Sequence, residues 1–135
     1  MTAAQDFATT DGDRLFLVEG DIEAGRRLSN RLLDQKWRVV WAASAREAIQ
    51  ILHDAFFIEQ AIDALLISHD LPDATAVRVI QEFRTEWPWA PVAMMIGHED
   101  IAANIWARTH NIQLVHKPLD ANELDQWLNE IRVPA

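Results

Sequence analysis

The chain has no cysteine among its 135 residues. Disulfides, thiolate metal sites and cysteine nucleophiles are therefore excluded, and the compartment is left open. Positive charge is scarce: 12 Lys and Arg stand against 21 Asp and Glu, a net charge of −9. That balance argues against unaided binding to nucleic acid or to an anionic membrane, and it favours solubility. No apolar run approaches the roughly 18 residues that a membrane span needs, and no charged-then-apolar leader opens the chain; a cytoplasmic protein is the expectation. A Gly-rich phosphate loop, a G-x-S-x-G elbow, internal repeats and low-complexity linkers are all missing. The five histidines (His53, His69, His98, His110, His116) show no H-x-H or H-E-x-x-H spacing, so no metal site is expected. His69 and His98 fall on neighbouring loops and form the one pair whose approach would reopen that question.

What is present suits a single domain, with half of the residues hydrophobic and 24% charged. Met1 to Asp13 is small and polar and reads as a flexible tail, leaving residues 14–135 for the folded domain. Within that domain, Ala64-Leu-Leu-Ile67 runs apolar without alternation, as a strand buried on both faces of a parallel sheet does. Ser68-His-Asp-Leu-Pro72 ends it. Four more strands fit around this one: Leu15–Val18, Arg38–Ala42, Val92–Ile96 and a short Gln113–Val115.

Helices alternate with the strands. The first, from about Asp21 to Gln35, places Ile22, Leu28 and Leu32 inward and Arg26, Arg27 and Arg31 outward. Asp21 is its expected N-cap. Ser44-Ala-Arg-Glu47 is a capping box opening a second helix that buries Ala48, Ile51, Leu52 and Ala55. A third, capped by Asp73, carries Val77, Ile80 and Phe83 and stops near Pro88 and Pro91. The fourth runs from about Asp100 to Thr109 with Ile105 as its core position. Asp120-Ala-Asn-Glu123 caps the last, with Leu124, Trp127, Leu128 and Ile131 inward. Alternation of this kind implies a parallel sheet with helices on both faces, and right-handed crossovers favour the strand order 2-1-3-4-5. The expected fold is a flavodoxin-like α/β three-layer sandwich. In that order, the strand ends carrying Glu19, Gly20 and Asp21, Ser68, Ile96 and Gly97, and Lys117 lie side by side.

Those positions resemble the receiver domain of bacterial two-component response regulators, over nearly the whole chain from Leu15 onward. The resemblance implies an acidic pair after the first strand, a phosphoacceptor aspartate after the third, a Thr or Ser after the fourth, and Lys-Pro after the fifth. Here the pair falls on Glu19 and Gly20, the acceptor on Ser68, and the hydroxyl position on Ile96, followed by Gly97. The aromatic switch falls on Leu114. Lys117-Pro118 matches in full. Aspartyl phosphate formation needs a carboxylate nucleophile and Mg²⁺ held by several oxygens. Three of those parts are replaced, so the chain reads as a pseudo-receiver: no enzyme, no cofactor, and Mg²⁺ binding lost or weak.

Lys117 is then expected to pair with Glu19, and Ser68 to fill vacated space, with a ligand-contacting hydroxyl as its alternative. Asp70, two residues beyond the acceptor position, is expected to have no phosphoryl role. Output would be contact with a protein partner or homodimerisation, through a face including Trp106, Leu114 and Trp127. The chain would stand alone or precede a missing output domain. Phosphorelay on an unusual acceptor, or sensing of a small anion above Lys117, are the rival functions. Trp37 and Trp127 fit core positions, whereas Trp87 and Trp89 flank a proline where burial is hard to arrange.

Overall fold

A computed structural model describes residues 13–54 and 61–132. Five strands, β1 (Arg14–Val18), β2 (Arg38–Ala42), β3 (Ala64–Ser68), β4 (Val92–Gly97) and β5 (Gln113–Lys117), form one parallel sheet in the order β2-β1-β3-β4-β5. Between and after them lie α1 (Ile22–Asp34), α2 (Ala45–Leu52), α3 (Ala76–Glu86), α4 (Ile101–Thr109) and α5 (Ala121–Ile131). The expected tail and Ala55 fall outside the described residues, apart from Asp13.

Every residue of β3 is buried, because helices cover both faces of the sheet at its centre. On one face α2, α3 and α4 pack over Phe16, Val18, Leu65, Ile67, Met94 and Ile96. On the other, α1 and α5 cover Leu15, Leu17, Leu66, Met95 and Val115. Alternate residues of each strand thus feed opposite cores, as the pleat requires.

Several sequence expectations shift by a residue or a partner. Ile22 is 52% exposed: it is the first helical residue, at the rim of the sheet, and Gly25, Leu28 and Leu32 make the inward line instead. Ile51 and Val77 are only half-buried. In α4 the phase differs: Ile105 is 59% exposed, while Ala107 is buried and Ala103 and Trp106 pack against the core. The helix is apolar on most sides, so periodicity alone could not choose its inner face. β5 continues two residues past Val115, which carries His116 and Lys117 into the ladder beside Ile96 and Gly97. Trp89 is 84% exposed and Trp87 half-buried against the core.

Asp73 does not cap α3, whose N-cap Thr75 makes no side-chain cap bond. Its carboxylate instead accepts the backbone N–H groups of Ala45 (2.9 Å) and Arg46 (2.9 Å), so it caps α2 from across the sheet edge. The Arg46 amide, followed by that of Ala45, holds the Asp73 carboxyl below the usual carboxylate range. Ser44 caps α2 as expected, accepting from Glu47 N–H at 3.0 Å. Arg31 of α1 grips Asp125 of α5 through two bonds of 3.1 and 2.6 Å. That guanidinium, aided by Gln35, lowers the Asp125 carboxyl against the opposing effect of burial.

Candidate functional site

The β1–α1 turn is held from below. Trp41 of β2 packs against Gly25, where an added Cβ would collide with its ring, and its indole N–H donates to the Glu19 carbonyl at 3.0 Å. Asp21 accepts from Ala24 N–H at 3.0 Å, the N-cap bond expected of it. Glu19 is buried, and its Oε2 accepts the Asp21 backbone N–H at 3.0 Å. At the sheet edge, Lys117 Nζ stands 3.5 Å from its Oε1.

Lys117 also donates to Ser68 Oγ at 2.8 Å, and the Ser68 hydroxyl points on to the Asp70 carbonyl at 3.4 Å. Register explains the meeting: Val18 pairs with Ile67, Ser68 with Met95, and Gly97 with Lys117, so the three strand ends are level. Glu19, Ser68 and Lys117 form one bonded trio, with Ser68 fully buried and the lysine side chain 38% exposed.

The remaining expected site residues take no part in it. A Cβ on Gly20 would collide with Pro72 and lie 3.3 Å from the Ala43 carbonyl, so the β3–α3 loop rests on the space a side chain at position 20 would need. Ile96 turns into the core on the far face of the sheet. Glu99 folds its carboxylate over Gly97. The Asp70 side chain is 87% exposed and sits beside His69 Nδ1 at 3.1 Å. His98 does not meet His69; it stacks on His116 with ring centroids 3.8 Å apart.

Magnesium asks for near-octahedral oxygen ligation. Both Glu19 oxygens are engaged, Asp21 caps its helix, and position 20 has no side chain. This donor set does not fit the ion. Among the described residues no group of three or more His, Asp or Glu side chains is arranged to hold a metal.

A cleft of about 530 Å³ opens beside Lys117, between the start of α1 and the β5–α5 turn. Glu19, Asp21, Arg27, Arg31, Leu28 and Leu119 line it together with the lysine. Of the expected interface residues, Trp106 is half-buried, whereas Leu114 and Trp127 lie in the core and offer little surface. Ile101 and Ile105 of α4 are exposed large apolar side chains.

Five parallel strands in this order, with a lysine and an acid meeting at their carboxyl edge, can be set against known structures. The receiver domain of HemR from Leptospira biflexa, in its non-phosphorylated form, superposes with a TM-score of 0.77 at 22% identity, covering 91% of this chain and 97% of that one. This is the receiver fold. A response regulator receiver domain protein from Clostridium thermocellum gives 0.77 at 18%, covering 88% and 93%. The chemotaxis response regulator CheY4 of Vibrio cholerae gives 0.74 at 18%, covering 90% and 99%. No family model matches the chain. In sequence it is similar to the hydrogenase transcriptional regulatory protein HoxA of Cupriavidus necator, 26% identical over 130 residues. The match covers 85% of this chain and 26% of that protein, so the chain spans about a quarter of the length of this curated relative.

Asp73, Trp41 and Pro72 were missed as supports of this edge. The first two act across the fold from residues distant in the chain, and local spacing carries no sign of them. The glycines at 20 and 25 were the available hint, since each leaves room for a side chain from another element.

Proposed function

We propose that the chain is a receiver-type signal-transduction module that works without aspartyl phosphorylation and acts through protein contacts. One observation carries the reading: at the acceptor position stands a buried serine hydroxyl, hydrogen-bonded at 2.8 Å by the one matching lysine. A hydroxyl without an adjacent general base is a poor nucleophile, and the ammonium that donates to it is itself a donor, not a base. The space beside Gly20 where a metal-binding acid would extend is taken by Pro72. The partner surface in this reading is the side of α4, β5 and α5, where α4 exposes Ile101 and Ile105, open to a second copy or to another protein. By analogy with the length of HoxA, the module is suited to serve as one part of a longer regulator.

The test is an amide NMR spectrum recorded with Mg²⁺ and either acetyl phosphate or beryllofluoride. No change is expected for Ser68, Glu19 or Lys117. Specific shifts there, or an added phosphoryl mass on Ser68 or Asp70 after kinase treatment, overturn the reading. A second reading rests on the cleft of about 530 Å³ above Lys117, a size common for small-ligand sites. Its lining mixes Arg27, Arg31 and Lys117 with Glu19 and Asp21, and a thermal-shift screen with nucleotides and other small anions would reveal a ligand: saturation at about 100 times Kd adds about 2.7 kcal/mol of stability.

A further inference from the structure

The two edges of the sheet are finished differently. At β5, Gln113 Nε2 donates to the Leu114 carbonyl at 3.3 Å and Glu123 Oε1 accepts the His116 N–H at 2.8 Å, so side chains of the chain itself occupy backbone groups that face outward. At β2, the Arg38 N–H donates to the Asp13 carbonyl and the Ala42 carbonyl accepts from the Glu19 N–H. The parallel ladder therefore turns the backbone groups of Arg38, Val40 and Ala42 toward β1. Val39 and Trp41 turn theirs outward, and among the described residues none of these four N–H and C=O groups has a partner. The strand has neither proline nor lysine to guard it, and Val39, Val40 and Trp41 are apolar and half-buried. The flanking helix continues this open side. Arg31 and Gln35 of α1 reach Asp125 of α5, while Gly25, Leu28 and Leu32 face the sheet. At 3.6 residues per turn, Ile22 and Leu33 share the opposite flank, beyond β2, where they are 52% and 53% exposed.

We propose that β2 is the pairing edge for a second copy of this chain, added antiparallel across a twofold axis at Val40 to make one continuous sheet of five strands from each copy. The pattern is self-complementary, as a twofold interface requires. Val39 exchanges both of its hydrogen bonds with the partner's Trp41, and Trp41 does the same with the partner's Val39, so all four open groups are satisfied. On the α1 face, Trp41 stands level with Gly25. A strand rises about twice as far per residue as a helix, so the axis at Val40 falls near position 27 of α1. Ile22 and Leu33 lie at nearly equal distances on either side of that level, and the axis sets Ile22 against the partner's Leu33. Arg26, on the same flank, keeps its charge in water while its stem lies over the contact. On the α2 face, Arg38 comes opposite the partner's Ala42 and next to the partner's Glu47. Arg38 is exposed beside the like charge of Arg14 in the β1–β2 register. Glu47 accepts the Ala43 N–H through Oε1, which leaves Oε2 for the guanidinium. The dimer uses the sheet edge opposite β5 and leaves the side of α4, β5 and α5 free for a different protein.

Sedimentation of the full chain should show a dimer that dissociates on dilution. Val39→Pro removes an N–H that bonds nothing within the protomer, a position where an edge strand tolerates proline. Symmetry removes two bonds at once, and the dimer should weaken by at least about tenfold. Leu33→Lys, at an exposed position, should weaken it as well without lowering the urea midpoint of the monomer. Val40→Cys supplies the chain's only thiol. Opposed residues of a non-hydrogen-bonded antiparallel pair have Cα atoms about 4.5 Å apart, within disulfide range. Oxidation should therefore link two copies through Cys at 40 far faster than through Trp89→Cys, at an exposed loop position before β4. A chain that stays monomeric overturns the proposal, including one whose Val39 and Trp41 amides exchange slowly because residues 1–12 cover the edge. So does a dimer that survives both Val39→Pro and Leu33→Lys.

Discussion

Ser68, Glu19 and Lys117 show how a charged residue is kept at a buried edge once its usual partners are replaced. Lys117 neutralises a carboxylate that is almost fully enclosed, and it also donates to the oxygen of a fully buried hydroxyl. Removing the ammonium leaves Glu19 charged and unpaired. A fully buried pair broken on one side costs about 3–5 kcal/mol. Lys117 is 38% exposed, and water screens part of the loss, so Lys117→Met should cost about 1–2 kcal/mol. Urea unfolding is the check: an unchanged midpoint would mean that the pair contributes nothing to stability. Ile96, by contrast, needs no polar explanation. It completes the core beside Val92 and Met94, and its side chain faces away from the trio.

Among the elements, α1 packs closely against one ring of β2. Gly25 lies within it, and alanine there would ordinarily gain about 1 kcal/mol of helix propensity. Here the added methyl would run into the Trp41 ring, which also holds the Glu19 carbonyl. Overpacking a tight contact costs about 1–3 kcal/mol, so the steric loss should win. Gly25→Ala is expected to unfold at lower urea with an unchanged slope and to shift the indole N–H signal of Trp41. A gain in stability would show that the ring has room to move. The same dependence on a distant partner appears in α2, whose first N–H groups are met by Asp73 from the β3–α3 loop. In α4, Ile101 and Ile105 are 69% and 59% exposed.

For the whole molecule, an acidic chain with a net charge of −9 is stabilised at neutral pH by carboxylates that bond across elements. Asp73 is lowered by the Arg46 and Ala45 amides, and Asp125 by Arg31 and Gln35. Both are lower in the folded protein than in an unfolded chain. Their contributions are therefore complete above the ordinary aspartate value, near about 3.9, and fade as pH falls through the lowered folded values. Stability should drop on acidification below about pH 4, and the drop should be shallower when both positions are Asn. Equal acid sensitivity of wild type and the double variant, measured by thermal unfolding from about pH 6 down to about pH 3, would assign the transition to other groups.

The strand–helix alternation, the unbroken apolar run of β3 and the capping residues Asp21 and Ser44 were enough to determine the parallel sheet and its order. Those signals are local, repeat at the period of the element, and combine with the handedness of crossovers. The Lys117–Glu19 pair was legible too, because strand order alone brings the two carboxyl ends together. What only the tertiary structure decided were choices among nearly equal local options. These were which face of an almost wholly apolar α4 turns inward, that Asp73 serves α2 instead of its own helix, and that Pro72 closes over Gly20. Each of these depends on a side chain finding a partner far along the chain, and one-dimensional spacing contains no measure of that distance.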